Sequence, residues 1–367
     1  MTRSDVPPGA GAVLDVDLTA IVANWRTLCA RHPAGPVAGI VKADAYGLGA
    51  RRVAPALRDA GCQHFFVAHL DEALGIRPLL AGSMLGVLNG LLAGSEETFV
   101  TDNITPVLGS IPEVDRWAAL AGRVGRKLPA ILHVDTGMAR LGLDAKELTL
   151  LRQDPARLSS IDVLYIMTHL VSSELSGDPL NHEQRARFET ACIGLPPVPR
   201  SLANSSGIFL GEDFGSDLAR PGAALYGINP TPGATNPMRP VARLHTRVLQ
   251  VRTIEAGESV GYNAIWRATR RSQIATAALG YGDGWPRSLS GQGKAFFDGR
   301  AVPLVGRVSM DLTTFDITDH PDIHTGAWLE VIGPNCSLDE VAAAAGTVGY
   351  EILTSLGGRF HRIYHAS

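Results

Sequence analysis

The stretch VAGIVKADAYGLG, residues 37–49, decides the fold. Its first half is apolar and partly β-branched, and a tyrosine stands four residues after Lys42, so we predict a strand over 37–42 with the lysine at its last position. A lysine buried at a strand end costs free energy unless it is paired or used covalently. A desolvated lysine has a lowered pKa and can form a Schiff base. The alternative interpretation is a surface lysine that extends into solvent.

Similar strand-and-helix units repeat on both sides of this stretch. From residue 13 to about residue 230, short apolar runs alternate with amphipathic stretches of helical period, which is the pattern of βα units around a parallel sheet. The predicted helices span residues 20–30, 53–60, 112–121 and 182–191. The predicted strands span residues 37–42, 65–68, 84–88, 105–108, 130–134, 163–168, 201–203 and 224–227. Eight such strands suggest a (β/α)8 barrel of the TIM type.

A proline-rich segment, NPTPGATNPMRP, marks the end of the predicted barrel. Its four prolines are incompatible with a helix or a strand, so we predict a linker there. The sequence beyond it alternates strands and glycine turns, in HTRVLQVRTI, SQIATAALG, KAFFDGRAVPLVG and AWLEVIG, before one helical patch, LDEVAAAAG. We therefore predict a barrel domain over 13–232 and a mostly β domain over 236–367, with which residues 1–12 can pack.

Composition excludes several classes of partner. Apolar residues make up 45% and charged residues 19% of the 367, which is ordinary for a globular enzyme. A net charge of −3 without a basic run argues against nucleic acid. The sequence opens without the apolar stretch of a signal peptide and contains no run of about 18 apolar residues, so we expect a cytoplasmic protein and no membrane contact. We expect its four scattered cysteines to be reduced, and no metal site.

Polar side chains follow several of the predicted strands. Lys42, Asp135, His169 and Asn204 each come just past a strand's carboxyl end. In barrels of this kind the chemistry gathers at that end of the strands. We expect these side chains to line one site.

Blocks along the whole chain resemble alanine racemases. VKADAYGLG resembles the cofactor-lysine signature of that family, and DVDLTAIVANW resembles its usual opening. The further blocks, in order, are DTGMARLG (135–142), MTHL (167–170), ANSSG (203–207), RPGAALYG (220–227), SVGYNAIW (259–266), GYGDGWPR (280–287) and VGRVSMD (305–311). The resemblance covers about residues 13–364 and implies a pyridoxal-phosphate enzyme that interconverts L-alanine and D-alanine, supplying D-alanine for peptidoglycan.

The resemblance assigns two bases. Lys42 carries the cofactor and is the base on one face of the substrate α-carbon, and Tyr262 is the base on the other face. Racemisation needs groups on both faces, because a single base tends to return the proton to the face it came from. A free phenol has a pKa of about 10 and is a poor base, so Tyr262 needs help, which the resemblance assigns to His169.

The resemblance also assigns the cofactor contacts. Arg220 is matched to an arginine that hydrogen-bonds the pyridine nitrogen, where a permanently charged donor disfavours protonating the ring and favours racemisation over transamination. The alternative interpretation is a surface arginine before a proline turn. The phosphate is assigned to two hydroxyls and to backbone amides of a loop that leads into a helix. The full set of assigned cofactor-binding residues is Lys42, Tyr46, His169, Asn204, Ser205, Arg220, Gly222, Ala223 and Tyr226.

Three residues are assigned to the substrate. Arg140 matches a residue near the cofactor's phenolic oxygen and the substrate carboxylate, and Met310 and Asp311 match a carboxylate-binding loop. In the family, Tyr262 and Met310 serve the neighbouring subunit's cofactor. The resemblance therefore implies a homodimer with two active sites.

Two positions depart from the family pattern. Many members carry, at the position of His133, a lysine modified to a carbamate that braces the arginine matched by Arg140. A histidine cannot form such a carbamate, so another acceptor or an anion must hold Arg140. Gly358 stands where the family has a tyrosine at the substrate entrance. Either a neighbour such as Tyr350 or Tyr364 fills that space, or the site is roomier.

Other functions remain as alternatives. One is a broader racemase acting on alanine and serine, or a fold-related pyridoxal-phosphate decarboxylase. Exported broad racemases carry signal peptides, and the decarboxylases lack the SVGYN block. A pyridoxal-phosphate binding or regulatory protein made of the barrel alone would lack the β domain that carries Tyr262.

Overall fold

A computed structural model of the chain describes residues 6–366. Of the segment expected to pack with the β domain, residues 1–5 lie outside the described residues. The chain forms two compact units. Within the described residues, the β unit comprises residues 6–20, 46–48 and 240–366, and the barrel unit comprises Ile21–Ala45 and Gly49–Arg239.

The regular elements are numbered here in chain order. The strands are β1 (Ala12–Asp17), β2 (Gly39–Ile40), β3 (His64–Val67), β4 (Met84–Val87), β5 (Thr105–Leu108), β6 (Leu128–His133), β7 (Ile161–Met167), β8 (Arg200–Ser201), β9 (Ala242–Ile254), β10 (Ser259–Val260), β11 (Trp266–Arg267), β12 (Ser272–Ala277), β13 (Lys294–Phe297), β14 (Arg300–Val305), β15 (Thr313–Asp316), β16 (Trp328–Ile332) and β17 (His361–His365). The helices are α1 (Leu18–Arg31), α2 (Lys42–Tyr46), α3 (Ala50–Asp59), α4 (Leu70–Ile76), α5 (Glu96–Thr101), α6 (Ile111–Val124), α7 (Ala145–Gln153), α8 (Leu180–Ala191), α9 (Leu338–Ala345) and α10 (Gly349–Ser355).

The barrel unit is built on a curled sheet of seven parallel strands, in the order β2 to β8. The ring is completed by a parallel bridge between Val37 and Ala219. The amide of Ala38 donates to the carbonyl of Ala219 at 2.9 Å, and the amide of Arg220 donates to the carbonyl of Ala203 at 2.8 Å. A short extended segment around Ala219 thus takes the place of the eighth strand, and the barrel expected from the sequence is confirmed.

The predicted eighth strand over 224–227 is wrong. That segment is a 3-10 helix, Ala223–Tyr226, which ends at Gly227 in the left-handed conformation with φ 82°. The Tyr226 hydroxyl donates to the carbonyl of Ile40 at 2.8 Å, which fixes the turn against β2. A short, fully apolar run has no periodicity by which a buried strand can be distinguished from a buried helical turn.

The predicted helices of the barrel are confirmed, and their buried faces explain them. In α6 the buried residues are Val114, Trp117, Leu120 and Ala121, at three-to-four spacing. Trp117 packs edge-on against Phe99 of α5, with 6.2 Å between ring centroids. Among residues 6–366, no helix is both long enough and apolar enough to cross a bilayer.

The β unit is organised around the long strand β9. Residues 242–246 of β9 pair antiparallel with β1, and β16 pairs with residues 244–247. Its second half pairs with β12, which closes a ring of β9, β12, β15, β14, β13 and β16. On the other side of β1, β17 pairs with it in parallel. The mostly β composition predicted for this part of the chain and the helix predicted at LDEVAAAA are confirmed, but a second helix, α10, follows it and was not predicted.

Candidate active site

Lys42 begins an unusual turn at the carboxyl end of β2. The four residues that follow it, Ala43 to Tyr46, all have φ between 51° and 55°, so α2 is a left-handed turn. Each such residue other than glycine costs about 1–2 kcal/mol, and strain of this kind concentrates at functional sites. The Ala45 amide donates to the backbone carbonyl of Val41 at 2.9 Å, and the Gly49 amide donates to the backbone carbonyl of Asp44 at 2.8 Å. The turn was not predicted, because no glycine marks it until residue 47.

Glu72 of α4 holds the start of this turn. Its carboxylate accepts the amide of Ala43 at 2.5 Å and the amides of Ala68 and His69 at 2.8 and 3.0 Å. Sequence reasoning did not identify Glu72. The available signal was its position three residues after His69, the residue that caps α4, which is the spacing of a capping box.

Cations and imidazoles share the carboxyl end of the barrel. Burial lowers the pKa of Lys42, and the charge of Arg140 lowers it further while Glu72 raises it. Burial first, and then Arg220 and Arg140, lower the pKa of His169 to about 3. Burial and Arg220 lower the pKa of His133 to about 4. Both imidazoles are therefore neutral at pH 7.

Arg220 is a buried cation whose hydrogen bonds go to neutral groups. It is 5% exposed, and burial lowers its pKa to about 10. Its guanidinium donates to the Ser201 hydroxyl and to the Thr168 carbonyl. Among residues 6–366, no carboxylate forms an ion pair with it. A buried guanidinium without a carboxylate partner is costly unless a ligand supplies an acceptor.

The loop after Arg220 is held by Ser205. The Ser205 hydroxyl accepts the amides of Gly222 at 3.0 Å and of Ala224 at 3.2 Å, which leaves its own proton able to point elsewhere. Asn204 accepts the Gly207 amide at 2.9 Å and the Ser173 hydroxyl at 2.8 Å. Ser205 thus orders the first turn of the 3-10 helix, and Asn204 orders its own loop.

A second unpredicted residue is Gln184 of α8, which is fully buried. Its amide nitrogen donates to the Thr136 hydroxyl and to the His169 carbonyl, both at 3.0 Å, and its oxygen accepts the Val171 amide at 2.8 Å. The Thr136 hydroxyl is in turn 2.8 Å from that of Thr168. Gln184 therefore connects the loops that follow β6 and β7. A lone glutamine within a polar helix gave no signal in the sequence.

The assigned residues of the β unit lie largely on its surface. Tyr262 is 67% exposed and Met310 is 55% exposed. Asp311 accepts a hydrogen bond from Arg359 at 2.7 Å, and Arg359 also binds Asp283 at 2.7 Å, so the carboxylate-loop candidate is fixed by an ion-pair network. Tyr46 also belongs to this unit, and burial raises its pKa.

Gly358 lies in open surroundings. It is exposed, and a β-carbon built on it would meet no atom within 4 Å. Tyr350, one candidate to fill the space, is 38% exposed. A β-carbon at position 358 would therefore meet no clash.

The assigned residues thus form two groups. The barrel unit brings Lys42, Arg140 and Arg220 within electrostatic reach of His169, and Arg220 leads into the loop held by Ser205. Tyr46, Tyr262, Met310 and Asp311 belong to the β unit. That the two groups form one site stays a prediction.

Comparison with known proteins gives consistent matches over most of the chain. Models for the N-terminal and C-terminal domains of alanine racemase match residues 16–230 and 241–364. The alanine racemase of Acidiphilium cryptum is 54% identical over 350 residues, covering 95% of this chain and 98% of the relative. That of Rhodospirillum rubrum is 50% identical, covering 97% and 96%. The crystal structure of alanine racemase from Bartonella henselae with covalently bound pyridoxal phosphate aligns with a TM-score of 0.94 at 43% identity, covering 97% and 100%.

Proposed function

This chain belongs to the alanine racemase family and has that family's activity, and we propose that it works with two bases, Lys42 and Tyr262, on opposite faces of the substrate. It is an amino-acid racemase whose cofactor is pyridoxal phosphate. The observation that carries the residue assignments is the buried Arg220, which has no carboxylate partner among residues 6–366 and whose charge acts on two neutral imidazoles, His133 and His169.

The donors of the barrel unit fit this cofactor. Lys42 offers an amine of lowered pKa, and the Ser205 hydroxyl with the amide of Ala223 offers donors for a phosphate at the start of a 3-10 helix. Arg220 offers a fixed donor that keeps its charge. When bound, pyridoxal phosphate withdraws electrons from the substrate α-carbon and makes its proton more acidic.

The proton transfers are then carried out by the two bases. The Lys42 amine takes or returns the proton on one face, and the Tyr262 phenol oxygen does so on the other. His169 is neutral at pH 7 and can therefore accept a hydrogen bond, which suits it to help Tyr262 hold and release its proton. Arg220, as a permanent cation, disfavours a proton on the ring nitrogen and limits side reactions.

Arg140 and the loop that contains Met310 and Asp311 are proposed to bind the substrate carboxylate. Arg140 is exposed and carries a permanent positive charge. His133 is neutral and buried, so we propose that an anion or a polar acceptor, rather than a modified side chain, completes the surroundings of Arg140. The mass of residue 133 should be that of unmodified histidine.

We propose that the enzyme is a homodimer in which Tyr262 and Met310 complete the partner's site. The support is a set of exposed large side chains on the β unit, Tyr262, Ile265, Met310 and Leu312. Exposed apolar side chains of this size mark interaction surfaces when they cluster.

The cytoplasm is the proposed location. Cys29, Cys62, Cys192 and Cys336 are all free thiols. Free thiols of this number are usual in a reducing compartment.

We also propose a division of the chain near residues 233–235. The two family models leave residues 231–240 unmatched, which supports a linker there. Limited proteolysis should cut within this segment first, and a first cut elsewhere would count against the division.

Exchange of the α-proton tests the activity. Mixing the purified holoenzyme with L-alanine in heavy water should give D-alanine that carries deuterium, because the enzyme group that protonates the α-carbon exchanges its proton with the solvent. Reduction with borohydride followed by peptide mapping should place the cofactor label on Lys42. A label on another lysine would remove Lys42 from its proposed role.

One observation favours a second, broader specificity. The open space at Gly358 would leave room for a serine hydroxyl, and one small group is seldom discriminated by more than about 1–3 kcal/mol. We expect Gly358→Tyr to lower the ratio of kcat/KM for L-serine to that for L-alanine. An unchanged ratio would show that the entrance is already filled.

A further inference from the structure

The left-handed turn after Lys42 needs support from outside itself. Its residues Ala43, Asp44 and Ala45 carry β-carbons that disfavour this conformation, so neighbouring groups must hold them there. Asp44 contributes one such contact, because its carboxylate accepts the Ala50 amide at 2.7 Å. That contact holds the far end of the turn, on the side away from Lys42.

The near end is held by Glu72. One carboxylate oxygen accepts the Ala43 amide, which belongs to the peptide that directly follows Lys42, at 2.5 Å. The other oxygen accepts the amides of Ala68 and His69 where β3 ends. Since β2 and β3 are paired in parallel, a single carboxylate joins the ends of two adjacent strands.

We propose that Glu72 is a positioning residue for Lys42, fixing the peptide after it and so the direction from which its amine reaches the reacting atoms. This inference rests on the role proposed for Lys42. A role as a helix cap alone would explain the bonds to Ala68 and His69, which precede α4. It does not explain the bond to Ala43, which is remote from α4 in the chain.

The charge of Glu72 gives a second consequence. The charged and titratable groups around the Lys42 amine are Arg140, His169 and Glu72. Arg140 lowers the pKa of Lys42 and Glu72 raises it. A neutral residue at position 72 should therefore lower the pH at which half of the Lys42 amines are deprotonated.

A matched control exists in the β unit. Glu340 occupies the same third position of a capping box, in α9, and its carboxylate accepts the Ser337 amide at 2.8 Å and the Ser337 hydroxyl at 2.9 Å. It lies in a different unit from Lys42. Substitutions of Glu340 therefore report the effect of losing a cap.

The test compares Glu72→Gln, Glu72→Asp and Glu72→Ala with Glu340→Gln and Glu340→Ala. The first readout is the rate at which the full-length chain, freed of cofactor, captures added pyridoxal phosphate as a function of pH. The second is kcat of the holoenzyme, and the third is the unfolding temperature. We expect Glu72→Ala to lower kcat by roughly 10- to 100-fold, because misplacing a reacting group by about 1 Å costs that much.

The isosteric variants separate geometry from charge. Glu72→Gln keeps one oxygen, which can accept the Ala43 amide, and replaces the oxygen that accepts the Ala68 and His69 amides by a donor. Its kcat should therefore lie clearly above that of Glu72→Ala, while its capture profile shifts to lower pH. Glu72→Asp keeps the charge and should leave the profile in place. If Glu72→Ala does not fold, the Gln and Asp variants decide.

The proposal is overturned if substitutions at Glu72 and at Glu340 lower the unfolding temperature by similar amounts while the rate of cofactor capture and kcat stay at wild-type values. Glu72 would then be an ordinary helix cap. The borohydride label keeps the two proposals distinguishable. A label absent from Lys42 would refute the proposed function, whereas a label on Lys42 with unaffected Glu72 variants would refute only this inference.

Discussion

The role proposed for the Tyr262 phenol as the second base can be tested by a single substitution. We expect Tyr262→Phe to reduce racemisation by about 10²–10⁴-fold, the usual contribution of a positioned proton-transfer group, while leaving the cofactor spectrum almost unchanged. Steady-state rates in both directions measure the effect. Tyr165→Phe is the control, because that phenol bonds His64 at 3.1 Å within the barrel unit. A rate near wild type for Tyr262→Phe would make the tyrosine structural.

His133 predicts a pH dependence of stability. Burial and Arg220 lower its pKa from 6.5 to about 4 in the folded chain, so between these values the unfolded chain binds the proton and the folded chain does not. The free energy of unfolding therefore rises with pH across this window. The part that depends on His133 is fully present above about pH 6.5 and is lost as the pH falls toward about 4.

Replacing the imidazole should flatten this dependence. His133→Asn cannot titrate, so its unfolding temperature should fall less between pH 6.5 and pH 4 than that of the wild type. The exposed His182 provides the control, His182→Asn, which should keep the wild-type slope. Parallel slopes for all three proteins would place the acid sensitivity in other groups, such as His169.

At the scale of elements, we expect one side chain of α8, Gln184, to affect both the stability of the protein and its activity. Gln184→Leu keeps the volume but leaves the His169 carbonyl and the Val171 amide without partners, which costs about 1–3 kcal/mol each. We expect a lower unfolding free energy together with roughly a 10-fold loss of kcat, since a small misplacement of catalytic loops is expensive. Denaturant unfolding measures the free energy of unfolding, and steady-state kinetics measure kcat.

The neighbouring Asn181 separates the two effects. It is almost as buried on the same helix, and its amide donates to the carbonyls of Leu175 at 2.9 Å and Ser172 at 3.4 Å, neither of which is an assigned site residue. Asn181→Leu should therefore destabilise the protein with little change in kcat. If both variants lose activity in proportion to stability, Gln184 has no special connection to the site.

The elements also show what sequence alone can predict. Amphipathic helices such as α6 and alternating strands such as β12 were predicted because their periods differ. The segment 224–227 was mistaken for a strand because a short apolar run has no period. The left-handed turn at 43–46 escaped prediction because the contact that supports it comes from Glu72, which is remote in the chain.

Some residues of the candidate site could be predicted from the sequence, and others could not. Lys42, Arg220 and Ser205 were predicted because they stand in recognisable blocks at strand ends. Glu72 and Gln184 were missed because their contacts are made to backbone groups of distant loops, and such contacts leave no local pattern. Pairing information that only the folded chain contains is needed to identify them.

At the scale of the whole molecule, shared active sites can be tested by mixing inactive variants. If Tyr262 serves the partner's Lys42, a hybrid dimer of Lys42→Ala and Tyr262→Phe contains one site in which both bases are intact. Unfolding and refolding an equal mixture should restore about a quarter of wild-type activity, since half of the dimers are hybrids with one working site each. Activity no higher than that of either variant alone would mean that each subunit contains its own pair.

The pairing of β1 sets an order of events during synthesis. β1 hydrogen-bonds to β9 and β17, both of which follow the barrel in the chain. As the ribosome extends the chain, the barrel residues emerge while β1 still has no strand to pair with. β9 is complete at residue 254, but the edge of the mostly apolar β1 that pairs with β17 stays unpaired until residues 361–365 have been made. Non-local pairing of this kind slows folding and leaves an apolar strand available to the wrong partner, so nascent chains stalled before β17 should depend on chaperones more than chains released at full length.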